Sequence, residues 1–131
     1  MTGVQTCALP ILTIAQELGD RAQEGIAYGN LGNAFYVLGD FKDAKDNLSL
    51  CLAITKEVGD QSLEGHSYCN LGSVCSSDGD FQKCIDYNNL ALEIGKSIGS
   101  ESLQGAAYGN LGTAFQRLGD FQKAIDRKSV V

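Results

Sequence analysis

The five-residue block Tyr28-Gly29-Asn30-Leu31-Gly32 returns as Tyr68-Cys69-Asn70-Leu71-Gly72 and as Tyr108-Gly109-Asn110-Leu111-Gly112, 40 residues apart each time. A second mark falls at half that spacing. Leu18-Gly19-Asp20, Leu38-Gly39-Asp40, Val58-Gly59-Asp60, Asp78-Gly79-Asp80, Ile98-Gly99-Ser100 and Leu118-Gly119-Asp120 recur every 20 residues. Fixed self-similarity at such a period is the mark of a stacked array, in which each unit buries its apolar face only against its neighbours. No other feature of the chain restricts its fold as much.

Each 20-residue half reads as one helix. Tyr28, Leu31, Phe35 and Leu38 fall on one face of a 3.6-residue period, as do Phe41, Ala44, Leu48, Cys51, Leu52 and Thr55. The recurring glycine suits a left-handed C-terminal cap, and the Asp or Ser after it can cap the next helix. Links this short make successive helices antiparallel neighbours. The predicted helices are 11–18, 22–38, 41–58, 61–78, 81–98, 101–118 and 121–127, with Pro10 marking the start of the first. No stretch has the alternation of a strand.

Gly32, Gly72 and Gly112 fall inside helices, where glycine costs about 1 kcal/mol relative to alanine. Their recurrence points to a close approach within each helix pair, against the small residues Ala44, Cys84 and Ala124. The middle unit departs most from its neighbours. Cys75 stands where Phe35 and Phe115 stand, and Asn88 where Leu48 stands. The weakest local packing is expected there.

A net charge of −6 argues against nucleic acid, which needs a basic stripe to neutralise phosphate. The apolar run from Cys7 to Ala15 is too short to span a membrane. Cys7, Cys51, Cys69, Cys75 and Cys84 form no Cys-x-x-Cys pair, and His66 is the sole histidine, a poor zinc set. Several of these cysteines replace small or aromatic core positions of other repeats. Free, buried thiols acting as small hydrophobes account for that pattern and imply a reducing, cytoplasmic setting. No phosphate-binding glycine loop, zinc-protease motif or nucleophile elbow is present, so no catalytic residue and no cofactor is expected.

The pattern Asn-Leu-Gly-x-Ala-Phe, then Leu-Gly-Asp-Phe, then Ala, stands at Asn30 to Phe35, Leu38 to Phe41 and Ala44. It stands again at Asn110 to Phe115, Leu118 to Phe121 and Ala124. It resembles the tetratricopeptide repeat family, in a 40-residue variant similar to the repeats of the Leu-Gly-Asn spindle scaffold and of kinesin light chains. The resemblance implies an all-α, right-handed superhelical solenoid of antiparallel helix pairs. Residues 12–20 are then a half repeat, 21–60 and 61–100 full repeats, and 101–125 a partial one. The ends read differently. Residues 1–11 and 126–131 resemble the in-frame translations of the two common short-read sequencing adapters, so the natural array is expected over 12–125.

The first helix of each pair is expected to line a concave wall. Its exposed stripe would carry Asn30, Asn33 and Tyr36, then Asn70 and Ser73, then Asn110, Gln116 and Arg117. Ile26, Val37, His66, Ser76, Ser77, Ala106 and Thr113 stand beside them. An amide offers two donors and an acceptor, so a row of them can bond the backbone of an extended peptide. The resemblance implies such an asparagine ladder; the same row could instead brace neighbouring helices. A clamp for the carboxylate tails of heat-shock chaperones is not expected, because Gly29, Ala106 and Asn110 occupy places where that clamp needs Lys or Arg. The reading is a non-enzymatic scaffold for a protein or peptide partner, without nucleic acid or membrane. Its alternative is a sensor or spacer array in a larger signalling protein, with no groove ligand of its own. The array's two open ends are expected to associate end to end or to fray.

Overall fold

The computed structural model describes the backbone of residues 3–130 and the side chains of residues 9–126. Cys7 and most of the two adapter-like ends lie outside the described side chains. Six helices follow one another: α1 (Gly3–Leu18), α2 (Arg21–Val37), α3 (Phe41–Val58), α4 (Gln61–Ser77), α5 (Phe81–Ile98) and α6 (Glu101–Val130). The chain is all-α, and each helix packs on the next. In addition α2 touches α4 and α4 touches α6, whereas α1, α3 and α5 make no such contact with one another among the described residues. The first helices of the repeats thus form a continuous inner wall, with the second helices outside it.

The turns are built as the 20-residue mark requires. Gly19, Gly39, Gly59, Gly79 and Gly99 all take positive φ. After each comes a cap: Asp20 accepts from the Gln23 N–H, Asp40 from Asp43, Asp60 from Leu63, Asp80 from Lys83, and the Ser100 hydroxyl from Leu103. Each satisfies one of the orphan donors of a helix start.

The close approaches inside the pairs are also there. A Cβ on Gly32 would stand 2.6 Å from Leu48 Cγ and 3.2 Å from the Ala44 carbonyl oxygen. A Cβ on Gly72 would run into the Asn88 amide, with the Cys84 carbonyl 3.3 Å away. The core is a row of clusters between successive helices. Ala44 and Leu48 of α3 meet Leu71 and Val74 of α4; Cys75, Cys84 and Ile85 meet Leu111 and Ala114 of α6.

Three expectations are corrected. The first helix does not start at residue 11: α1 runs through Pro10. A proline removes one helical hydrogen bond. Leu9 on one side of it and Leu12 on the other both pack on the cluster of Ala27 and Leu31, which holds the helix together across it.

The second correction is larger. Leu118-Gly119-Asp120 makes no turn; α6 runs unbroken for 30 residues, and Gly119 is not among the positive-φ glycines. The predicted helices 101–118 and 121–127 are one. A turn gives up helical hydrogen bonds, and the returning helix must recover the loss by burial. α3 is buried between α2 and α4, and α5 between α4 and α6. Residues 119–126 instead stay in line with α6, and their side chains are mostly exposed. Gly112 therefore has nothing within 4 Å, and Ala124 does not oppose it.

Third, the middle unit is not loose. Cys75, Cys84 and Asn88 are almost fully buried, and no buried side-chain N or O lacks a partner among the described residues. Asn88 fits because its amide is fully used, as described next.

Candidate functional site

The sequence stripe converges on one cleft in the inner wall, about 180 Å³ in volume. α2 supplies Tyr36, α4 supplies Ser73, Ser76 and Ser77, and α6 supplies Asn110, Thr113 and Arg117, with Cys84 of α5 also in the lining. Three successive first helices thus meet at one place, because their equivalent turns are stacked by the repeat.

Hydrogen bonds fix most of this lining. The Tyr36 and Ser77 hydroxyls lie 2.9 Å apart and share a hydrogen bond from α2 to α4. Ser73 donates to the Cys69 carbonyl, and Thr113 to the Gly109 carbonyl, each at 3.1 Å. Asn110 Nδ2 donates to Asn88 Oδ1 at 3.1 Å and to Ser73 Oγ at 3.4 Å. Asn88 in turn donates to the Cys84 carbonyl at 2.8 Å. Both protons of the Asn110 amide are therefore spent on α4 and α5, and the chain of donors satisfies a completely buried asparagine.

Arg117 is the one charged residue of the lining and forms no ion pair among the described residues. Its charge reaches the Cys84 thiol: burial raises that thiol's pKa, while hydrogen bonds from Asn88 and Ser76 and the Arg117 charge oppose the rise. Near the lining residue Ser77, Lys45 and Asp78 neutralise each other at 2.6 Å. The cleft is thus lined by hydroxyls, one amide, one thiol and one cation without an ion pair among the described residues.

Of the predicted groove residues, Tyr36, Ser73, Asn110 and Arg117 are brought together here, and Asn30, Asn33, Asn70 and Gln116 are not. Asn30, Asn33 and Gln116 stand exposed on their helices, and Asn70 is half-buried. The asparagine row is therefore unequal: its last member braces helices, and its first stands open to solvent. The residue that sequence reasoning missed is Asn88. Its only signal was a polar side chain at a position that is leucine in the preceding repeat.

Cys51, Cys69, Cys75 and Cys84 are free and buried. Burial pushes the Cys69 thiol up to about 11, the opposite of what a reactive thiolate needs. No group of three or more His, Cys, Asp or Glu among the described residues could hold a metal ion. His66 is exposed. No described helix is long and apolar enough to cross a membrane.

Fold and wall together define a helical-repeat solenoid with a polar inner face. Residues 63–128 match the tetratricopeptide repeat family model, and the chain belongs to that family. The family's repeats are generally protein–protein interaction modules. Three relatives share a 33-residue stretch at 61% identity: G-protein-signaling modulator 1 of Mus musculus, of Rattus norvegicus and of Homo sapiens. The stretch is 25% of this chain and 5% of each relative, so the chain spans only a small part of the curated relatives' length.

Proposed function

We propose that this chain is a non-enzymatic scaffold that holds an extended peptide of a protein partner along the inner wall of α2, α4 and α6. One observation carries the reading: polar side chains from three successive first helices converge on a single cleft, and Arg117 in its lining forms no ion pair among the described residues. A peptide backbone alternates donors and acceptors, and hydroxyls serve both. Asn30, Asn33, Asn70 and Gln116 extend that polar surface beyond the cleft. The similarity to G-protein-signaling modulator 1 fits a scaffold in signalling. Residues 12–125 are taken as the natural array, and the longer reading frame in the source DNA would test that boundary.

A peptide array probed with the whole chain tests the groove. Bound peptides should weaken about 10- to 100-fold on Arg117→Gln, the size of a lost hydrogen bond to a charged group. Arg117 is exposed, so the fold should be unchanged. An array without binders, or binders indifferent to both Arg117→Gln and Asn70→Ala, overturns the proposal. The second reading, a spacer array without its own ligand, has its own observation: the Asn110 amide is occupied in bracing α6 against α4 and α5.

A further inference from the structure

Val37, Ser77 and Arg117 hold the same place in successive repeats, 40 residues apart, on α2, α4 and α6. Along the inner wall their chemistry changes from aliphatic to hydroxyl to cation. Ser77 and Arg117 line the cleft, and their equivalent Val37 is 84% exposed beside the lining residue Tyr36. Most hydroxyl protons of the cleft are committed. Ser73 and Thr113 donate to carbonyls of their own helices, and Ser76 bonds the Cys84 thiol. Tyr36 and Ser77 share one hydrogen bond, so one of their two protons is left for a ligand. The Arg117 guanidinium adds five donors and a full charge. No carboxylate stands in the lining, and Asp78, next to Ser77, is held by Lys45. Spare donors around a positive charge without an ion pair among the described residues suit an oxyanion.

We propose, resting on the groove function above, that the peptide held there sets a Glu or Asp side chain against Arg117 and an aliphatic side chain against Val37. A guanidinium gives a carboxylate two parallel hydrogen bonds, and the spare proton of the Tyr36–Ser77 pair belongs to the same cleft. The spacing follows from the wall. α2 touches α4, and α4 touches α6. Packed helices lie about 8–10 Å apart, so Val37 and Arg117 stand about 16–20 Å apart. An extended chain rises about 3.3 Å per residue, which places the two ligand side chains about five or six residues apart. The two ends of the row differ, so the peptide is held in one direction only.

A library of random peptides with amidated C-termini, so that only side chains supply carboxylate, tests this against the whole chain. Groove binders are those weakened by Arg117→Gln or Asn70→Ala. They should carry Glu or Asp about five or six residues from Leu, Ile or Val, always in the same order. Replacing the acid by Lys should weaken them about 10- to 100-fold, and Arg117→Glu should reverse that preference. Val37→Ser should weaken them about 10-fold. Val37 and Arg117 are both exposed, so helicity should be unchanged in these variants. Groove binders without an acid, with the acid and the aliphatic residue at no fixed spacing, or with no reversal by Arg117→Glu overturn this inference and leave the groove function standing. A library without any groove binder overturns both.

Discussion

Gly72 and Gly112 hold the same place in successive repeats, and the chain around them behaves in opposite ways. At Gly72 the helix ends a few residues on, the left-handed Gly79 turns the chain, and α5 returns so closely that no Cβ fits. At Gly112 the matching Gly119-Asp120-Phe121 continues as helix and leaves the glycine open. Glycine and aspartate permit a turn in both places. Where the turn is made, the returning helix α5 is packed on both α4 and α6; where it is not, the extension of α6 is mostly exposed. The local signal is thus necessary without being sufficient, and the deciding term comes from the neighbouring repeat.

The largest test of this contrast replaces one apolar residue in each region. Leu71 is 1% exposed and Phe115 57%. Leu71→Ala should cost about 2–5 kcal/mol, the range for a buried leucine. Phe115→Ala should cost under about 1 kcal/mol if the face is open, since little area is lost. Urea midpoints measure both. Equal losses would mean that the Phe115 face is covered.

Next is pH. Cys69 is buried in α4, while its equivalent in α6 is the open Gly109. The unfolded thiol ionises near its ordinary 9.0, but burial keeps the folded one protonated to about 11. Between those values the unfolded state loses its proton first, so stability is intact below pH 9 and falls as pH rises towards 11. The part due to Cys69 should reach about 2 kcal/mol, and Cys69→Ala should reduce the fall by that part, leaving what the other buried thiols Cys51, Cys75 and Cys84 contribute. A slope unchanged in Cys69→Ala would place the cause elsewhere.

Glycine substitutions should differ in sign. Gly72→Ala forces its Cβ into the Asn88 amide and the Cys84 carbonyl and should destabilise by about 1–2 kcal/mol, overpacking outweighing the helix gain. Gly112→Ala meets nothing and should stabilise by about 0.5–1 kcal/mol. Thermal melts of the two variants settle the sign. The smallest effect concerns the aspartates. Asp80 caps α5, so Asp80→Ala should cost about 1 kcal/mol. Asp120 is inside α6, so Asp120→Ala should gain a few tenths of a kcal/mol, about the difference in helix propensity. Matching losses at 80 and 120 would show that the chain turns at both.

These pairs also mark what the sequence could reveal. α3 and α5 were readable to the residue, because each is bounded by a Gly-Asp or Gly-Ser signal whose chemistry is local. The Gly32 and Gly72 contacts were readable from recurrence. The straight α6 was not, because its Leu118-Gly119-Asp120 is the same as Leu38-Gly39-Asp40; the difference lies in what packs on it. Pro10 misled for a related reason, since the packing of Leu9 and Leu12 outweighs one lost hydrogen bond. Half of the predicted groove residues meet in the cleft, because helical spacing gives the face but not how successive faces stack. Asn88 read as a defect, since nothing in its spacing shows that Asn110 and Cys84 close around it.

The succession of contacts, each helix reaching only the next and in the inner wall the next but one, has a mechanical consequence. Pulled from its two ends, such a chain carries the load in series, with no long-range clasp to share it. It should yield helix by helix from the ends inward. Each 20-residue unit freed would lengthen the tether by about 66–72 Å of extended chain. Force traces should then show a sawtooth of nearly equal steps, with the gentlest rise where α6 stands half uncovered.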